Sequence, residues 1–207
     1  MSECAAGGTW EARWQAGDTP WDLGAAAPAV AAALREGPLA NGPRRVLVPG
    51  AGAGHDAIAL ARAGHAVVAL DIAATAVARA RETIAAAGAS VDVVHGDLLV
   101  GDAKRAGPFD VVFEHTCFCA LDPADRERYV DAVADVLVPG GALVAVLWEH
   151  GRDGGPPYDI AGDLISSWFA RRFQEVGRID LPPFERRPGV ERLVTFTLAP
   201  EGGLPVA

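Results

Sequence analysis

The fold is decided by a glycine-rich segment at residues 48–54, which reads Val-Pro-Gly-Ala-Gly-Ala-Gly. A short apolar run at residues 45–49 leads into it, and a helix is predicted over residues 56–63. Glycines at such a strand-to-helix turn permit positive φ angles and let a ligand approach the backbone closely. The N-terminus of the following helix attracts anions and polar groups. The segment therefore predicts a ligand site at the carboxyl end of the first strand.

Strands and helices alternate outward from this turn. The runs predicted as strands are residues 45–49, 66–70, 91–95, 109–114, 142–148, 175–179 and 191–198. Helices are predicted over residues 56–63, 74–87, 123–137 and 160–173. Short apolar strands that alternate with helices are typical of parallel sheets with right-handed crossovers. We therefore predict an α/β fold with a doubly wound, mostly parallel, seven-stranded sheet of the Rossmann-like kind.

The first 40 residues differ from the rest of the chain. Three of the five tryptophans lie there, and they are Trp10, Trp14 and Trp21. A short helix with Thr9 as its N-cap is predicted over residues 9–15, and an alanine-rich helix that begins at a proline over residues 28–35. We predict that residues 1–40 form a helical, aromatic cap over the ligand site of residues 41–207, within a single compact domain.

Composition excludes several classes of function. The formal net charge is −9 and the isoelectric point about 5.0, so the surface would repel nucleic-acid phosphates and anionic membranes. No run is long and apolar enough to span a bilayer, and the N-terminus lacks the pattern of a signal peptide. Three cysteines do not make a disulfide framework. We expect a cytoplasmic protein, favour a monomer, and expect a small-molecule partner.

Acidic residues end the next three predicted strands. Asp71 stands where a carboxylate accepts hydrogen bonds from ribose hydroxyls, and Asp97 and Glu114 end the third and fourth strands. Ligands of open α/β sheets bind outside the carboxyl ends of the strands, so these residues describe one crevice. Asp97 could bind an adenine amino group with Leu98 beneath the ring, or cap a turn. Glu114 could contact the ligand or form a structural hydrogen bond.

At this point the sequence resembles the class I S-adenosylmethionine-dependent methyltransferases, through residues 48–54, 71–72, 96–98 and 139–141. More specific motifs are similar to the thiopurine methyltransferase family, especially its halide/thiol methyltransferase branch. These motifs are Trp-Glu-Ala-Arg-Trp-Gln at 10–15, Thr-Pro-Trp-Asp-Leu-Gly at 19–24, Gly-His-Asp at 54–56, residues 114–121 and Gly-Gly-Pro-Pro-Tyr at 154–158. The resemblance runs over nearly the whole chain.

The resemblance implies S-adenosylmethionine as cofactor, S-adenosylhomocysteine as product, and a map of contacts. The expected cofactor-binding residues are Trp14, Gly50, Gly52, Gly54, Asp71, Ile72, Asp97, Leu98 and Glu114. In the branch, aromatic residues that match Trp10, Trp21 and Tyr158 form a small acceptor pocket. The implied reaction is in-line displacement on the sulfonium methyl carbon by a thiol, hydrosulfide or halide. Thiopurine or metalloid acceptors, or a non-catalytic module that binds the cofactor, are the alternatives within the family.

One residue departs from the family pattern, because the branch has an aromatic residue, and thiopurine enzymes an arginine, where His115 stands. We consider two interpretations of it, a structural hydrogen-bonded group or a base at the pocket mouth that deprotonates a thiol. A metal site with Cys117 and Cys119 is disfavoured, since no second ligand pair has zinc spacing. A nicotinamide oxidoreductase is disfavoured by the Gly-x-Gly-x-Gly spacing and by the lack of a Tyr-x-x-x-Lys pair.

Overall fold

The structure, a computed structural model, describes residues 3–200. Within that range it contains a seven-stranded sheet in the order β3-β2-β1-β4-β5-β7-β6. The strands are β1 Arg45–Pro49, β2 Ala66–Asp71, β3 Val91–His95, β4 Phe109–His115, β5 Leu137–Glu149, β6 Phe173–Asp180 and β7 Val190–Leu198. The predicted doubly wound, mostly parallel α/β fold is confirmed.

The direction of the strands places the ligand crevice. Strands β1 to β5 are parallel to one another, and β7 runs antiparallel between β5 and β6. The order of the strands reverses between β1 and β4, which lie side by side although β2 and β3 come between them in the chain. Such a reversal opens a crevice at the carboxyl ends of the flanking strands.

Helices cover both faces of the sheet. They are α1 Glu3–Ala16, α2 Pro28–Ala33, α3 His55–Arg62, α4 Ala74–Ala86, α5 Arg126–Val136 and α6 Ile165–Phe169. The side chains of β1 alternate between two buried clusters: Val46 and Val48 pack with α2 and α3, and Leu47 packs with α5 and α6. The same cluster as Val46 includes Val30 and Leu39, so the N-terminal segment shares the core of the sheet.

Two predicted helices are present, but the start of one and the extent of the other are wrong. Thr9 is not an N-cap, because α1 begins at Glu3 and continues through Gly7 and Gly8, residues that disfavour helix on intrinsic propensity. The helix predicted over residues 160–173 shrinks to the five residues of α6. One reason is that the guanidinium of Arg178 takes the carbonyl of Gly162 (2.7 Å), which would otherwise accept a helical hydrogen bond.

The N-terminal helix is joined to the sheet domain through α4. The N-cap residue of α4, Ala73, has no capping side chain. Glu11 of α1 supplies the missing acceptor, since the backbone N–H of Thr75 donates to Glu11 Oε2 (2.9 Å) and the Thr75 hydroxyl to Oε1 (2.5 Å). These hydrogen bonds, led by that of the hydroxyl, hold the pKa of Glu11 below its usual range. One carboxylate thus caps α4 and fixes the position of α1.

Candidate active site

A cavity of about 400 Å³ opens at the carboxyl ends of the parallel strands. Its walls include residues at the carboxyl ends of four strands, which are Pro49 and Gly50 for β1, Asp71 for β2, Asp97 for β3 and Thr116 for β4. The cavity thus lies at the topological reversal, where the sheet order predicts a ligand site. Its size is that of an ordinary small-molecule or cofactor site.

The glycine turn divides into two parts with different roles. Gly50 and Gly52 line the cavity. At Gly52, where φ is +53°, a Cβ atom would lie 3.3 Å from the indole of Trp14, so that ring packs directly over the turn. Gly54 does not line the cavity; a Cβ there would lie 3.3 Å from Ile84 and 3.4 Å from Ala80 of α4. The cofactor contact predicted for Gly54 is therefore replaced by close packing between α3 and α4.

Asp71 links the glycine turn to the cavity. Its Oδ2 accepts a hydrogen bond from the backbone N–H of Gly52 (2.8 Å), and its Oδ1 accepts one from that of Ala73 (2.9 Å). Burial raises the pKa of Asp71 above its usual range, although these backbone donors oppose the shift. Ile72 also lines the cavity. A carboxylate held at this point can accept hydrogen bonds from a diol.

Asp97 and Leu98 also line the cavity. Asp97 caps the turn that follows β3, because the backbone N–H of Leu99 donates to its Oδ1 (2.8 Å). Both interpretations of Asp97 from the sequence, the turn cap and the ligand wall, therefore fit the same side chain. Leu98 is buried except where it forms the wall.

The three tryptophans of the N-terminal segment form an aromatic part of the cavity wall. Trp10 and Trp21 make an edge-to-face contact (ring centroids 5.3 Å apart), and Trp14 makes another with Trp21 (6.1 Å). The guanidinium of Arg13 lies 4.4 Å from the Trp21 ring centroid. All four side chains line the cavity. Such rings give an apolar wall whose faces attract cations.

Glu114 lies outside the cavity, contrary to its predicted cofactor contact. It is 1% exposed, and all its hydrogen bonds are internal. The backbone N–H groups of Cys117 (3.1 Å) and Phe118 (2.8 Å) donate to Oε1, and the Tyr129 hydroxyl donates to Oε2 (2.7 Å). Burial raises its pKa. Glu114 therefore anchors the tight turn after β4, in which Thr116 adopts a positive φ of 65°.

Tyr158 also differs from its predicted place in the acceptor pocket. Its ring packs against Gly155, its backbone N–H donates to the Cys119 carbonyl (2.7 Å), and it does not line the cavity. The same loop contributes Pro156 and Pro157 to the wall instead. The Gly-Gly-Pro-Pro-Tyr motif thus reaches the site through its prolines.

His115 does not line the cavity, so the structure does not place it at the pocket mouth, as one of the two interpretations of the sequence required. The residue is 8% exposed and lies behind the cavity wall. Its Nδ1 is 2.6 Å from Asp56 Oδ2, and its Nε2 contacts the guanidinium of Arg187. Neither ring nitrogen is available to take a proton from an acceptor in this arrangement.

Sequence reasoning missed the arginines of the site. Arg13, Arg152, Arg186 and Arg187 all line the cavity. Arg186 and Arg187 stand in a Phe-Glu-Arg-Arg-Pro stretch that has no strand or helix pattern, so no signal marked them. Cys117 and Cys119 line the cavity too, but burial raises the pKa of both thiols, that of Cys119 to about 12. They are therefore poor nucleophiles.

The residues of the site fit a nucleoside that carries a positive charge. Asp71 can accept from ribose hydroxyls, Asp97 and Leu98 can hold a base, and Trp14 covers the glycine turn. The fold itself has counterparts among solved structures. It resembles 1,6-didemethyltoxoflavin-N1-methyltransferase of Burkholderia thailandensis, solved with S-adenosylhomocysteine (TM-score 0.75, 19% identity, 96% of this chain and 89% of that chain). It also resembles a structure concerned with conversion of a disulfide bond into a thioacetal group during echinomycin biosynthesis (TM-score 0.76, 22% identity, 92% and 90%).

Sequence comparison narrows the class to a family. The family model described as Thiopurine S-methyltransferase (TPMT) matches residues 5–182. The chain is 39% identical to "Probable thiol methyltransferase 2" of Arabidopsis thaliana, over 78% of this chain and 70% of that protein. It is 36% identical to "Thiocyanate methyltransferase 1" of Brassica oleracea, over 78% and 71%. The chain belongs to the thiopurine S-methyltransferase family and is an S-adenosylmethionine-dependent methyltransferase.

Within residues 3–200, no helix is both long enough and apolar enough to cross a membrane.

Proposed function

We propose that this enzyme transfers the methyl group of S-adenosylmethionine to a small soft nucleophile, with thiols and hydrosulfide as the main acceptors and halides as a further class. The observation that carries the proposal is the aromatic part of the cavity wall, where Trp10 and Trp21 meet edge to face. The residues predicted to bind the cofactor line the same cavity. The relatives named for thiol and thiocyanate methylation support it. An apolar pocket of this kind favours polarisable acceptors over strongly hydrated oxygen and nitrogen nucleophiles.

The proposed cofactor contacts are those of the lining residues, with Asp71 and Ile72 at the ribose, Asp97 and Leu98 at the adenine, and Trp14 with the glycine turn at the methionine part. S-adenosylmethionine supplies an electrophilic methyl group on a sulfonium. The chain then has to align the acceptor and exclude water, which is the main source of rate in such a displacement. The tryptophan faces suit both tasks and stabilise positive charge.

A thiol acceptor reacts as its thiolate anion. A thiol with a pKa near 8.5 is only a small fraction thiolate at pH 7, so the site has to favour the thiolate. His115 is engaged through both ring nitrogens, so we do not assign it the role of base. Arg187 lines the cavity and carries a fixed positive charge. We propose that this guanidinium favours the thiolate form of the bound acceptor, because a nearby cation lowers the pKa of a thiol.

The test is the release of S-adenosylhomocysteine across one panel of acceptors. The panel contains hydrosulfide, an alkyl thiol, an aryl thiol, a thiopurine, iodide and thiocyanate, with the matched alcohol and amine as controls. We expect the thiols and hydrosulfide to give kcat/KM values at least tenfold above their oxygen and nitrogen analogues. A thiopurine as the only good substrate would contradict the proposal, as would binding of S-adenosylhomocysteine without turnover of any acceptor.

We further propose a monomeric, cytoplasmic enzyme. Cys117 and Cys119 are both unpaired, as expected in a reducing compartment. Size-exclusion chromatography with light scattering tests the monomer, for which the expected mass is 21.4 kDa.

A further inference from the structure

A line of buried polar side chains runs behind the acceptor end of the cavity. Asp56 in the first turn of α3 contacts His115 at the end of β4, and His115 contacts Arg187 in the β6–β7 connection. Arg187 Nη1 in turn donates to Glu191 Oε1 of β7 (3.0 Å). His115, Arg187 and Glu191 are each 7–8% exposed. Of this line, only Arg187 reaches the cavity.

Hydrogen-bond chemistry fixes the protonation of the imidazole in this arrangement. A guanidinium has only donors, so His115 Nε2 has to accept from Arg187. The proton of a neutral ring then sits on Nδ1 and is donated to the Asp56 carboxylate. Asp56 also accepts the backbone N–H of Ala27 at Oδ1 (2.9 Å), which ties the line to the N-terminal segment.

We propose that His115 is a positioning residue that holds the Arg187 guanidinium in the acceptor wall. The inference rests on the proposed function in one respect, namely that the part of the cavity lined by Arg187 receives the acceptor. The imidazole separates Asp56 from Arg187 and gives each of them one hydrogen bond. Without it, the guanidinium and the Asp56 carboxylate would attract each other across the vacated space, and Arg187 would move away from the cavity.

The charges around the ring support this assignment. Asp56 and Arg187 contact the ring directly. Glu191 pairs with Arg187 on its other side, and the buried Glu114, on the same strand as His115, interacts with it electrostatically. Burial raises the pKa of Asp56, but the contacts with His115, the backbone N–H of Ala27 and the guanidinium of Arg187 together keep its pKa below the usual value. Arg187 thus lies between two carboxylates, and the imidazole decides which of them it pairs with.

The kinetic test compares His115→Phe, His115→Gln and the control His65→Phe. His65 is also buried (6% exposed) and hydrogen-bonded, to the backbone N–H of Arg44, but does not line the cavity. We expect His115→Phe to raise the acceptor KM about tenfold, with the Kd for S-adenosylhomocysteine within about twofold of wild type. Gln keeps one donor and one acceptor, so His115→Gln should recover most of the loss. His65→Phe should lower Tm only.

A double-mutant cycle with Arg187→Gln separates positioning from a general loss of structure. We expect the two substitutions to be strongly non-additive in acceptor KM, because both remove the same guanidinium from the wall. Additive effects, or equal losses of acceptor and S-adenosylhomocysteine affinity in His115→Phe, would overturn the proposal.

A measurement without substrate keeps the inference independent of the acceptor. The ¹⁵N–¹H correlation spectrum of the histidine rings in the enzyme saturated with S-adenosylhomocysteine should show His115 with a proton on Nδ1 and none on Nε2. A proton on Nε2 overturns the inference, since that nitrogen could not then accept from Arg187. If no acceptor in the panel reacts, the proposed function fails, and the spectrum still decides on His115.

Discussion

At the scale of single residues, burial separates carboxylates that look alike in the sequence. Asp71, Asp97 and Glu114 all stand at strand ends, and all three were predicted to meet the cofactor. The structure turns the first two into the cavity and buries the third beneath the turn after β4. Strand-end position is visible in a pattern of residues, whereas the backbone donors that take up Glu114 come from a positive-φ turn at Thr116 that no pattern marks.

Glu114 gives a prediction on stability and pH. Burial raises its pKa in the folded protein, so the folded state binds its proton more tightly than the unfolded state. Its contribution is therefore fully present below the unfolded pKa of 4.5 and declines as the pH rises through the folded pKa. The substitution Glu114→Gln introduces an amide that resembles the protonated acid, with its carbonyl toward Cys117 and Phe118 and its NH₂ toward Tyr129.

We expect the free energy of unfolding of wild type minus that of Glu114→Gln to decrease with rising pH above 4.5. Urea unfolding of both proteins at a series of pH values measures it. Glu114→Ala, the control, should be less stable than Glu114→Gln by about 1–3 kcal/mol at every pH, because it leaves buried donors unsatisfied. A pH-independent difference between wild type and Glu114→Gln would show that the folded protein does not perturb this carboxyl.

Gly52 gives a prediction on the cofactor. An alanine there is strained at φ +53° and would lie 3.3 Å from the Trp14 ring, which must move. Gly64 is the matched control, with a φ of +95° and nothing within 4 Å of a Cβ atom. We expect both substitutions to lower Tm, but only Gly52→Ala to weaken binding of S-adenosylhomocysteine, by about tenfold in calorimetry. Equal Kd values for the two variants would contradict a role for the glycine turn in cofactor binding.

At the scale of elements, the sequence predicted the sheet well and the peripheral helices poorly. The strands end in glycines and acids that interrupt an apolar run, so β1 to β4 are found within a residue of their predicted ends. The position of α1 and the extent of α6 depend instead on contacts with distant residues. The guanidinium of Arg178 in β6 donates to the carbonyl of Gly162, and Glu11 accepts a hydrogen bond at the N-terminus of α4, which has no capping side chain of its own. Long-range contacts of this kind leave no periodic mark in the sequence.

The contact between Glu11 and Thr75 predicts how the N-terminal helix is held. Glu11→Gln keeps the shape of the side chain but loses the charge at the N-terminus of α4. We expect faster proteolysis near residues 17–24 and weaker binding of S-adenosylhomocysteine, because Trp10 and Trp14 lie on the same helix. Since the pKa of Glu11 is lowered, the wild type should approach this behaviour only as the pH falls below 4.5.

Limited proteolysis with and without S-adenosylhomocysteine measures the effect. Glu82→Gln is the control, because that residue lies exposed on α4 and pairs only with the surface residue Arg79. Equal cleavage rates in the two variants would mean that α1 is held by its other contacts with α4.

At the scale of the whole molecule, the negative charge of the chain contrasts with a cavity in which arginines balance the carboxylates. The chain carries −9, which composition alone revealed, and this charge does nothing to attract an anionic acceptor. Four arginines line the cavity together with two aspartates, Asp71 and Asp97. Arg13 and Arg187 are paired with Asp18 and Glu191, whereas Arg152 and Arg186 have no carboxylate partner within residues 3–200. A count of charges along the chain could not show this cluster of arginines.

The cluster of arginines has a measurable consequence for salt dependence. At low salt, charges act over tens of ångströms, and near 1 M salt over only about 3 Å. If Arg152 and Arg186 dominate the field at the acceptor entrance, added salt should lower kcat/KM for a sulfonate-bearing thiol and leave that for a neutral thiol of the same length unchanged. In the Arg152→Gln, Arg186→Gln double variant the two remaining arginines are paired with carboxylates, so repulsion by the whole chain should dominate and salt should raise kcat/KM for the sulfonate. Salt weakens whichever field is stronger at the entrance. A rise of kcat/KM for the sulfonate with salt in the wild type would therefore mean that the net charge of the chain, and not the arginines, governs the approach of anions.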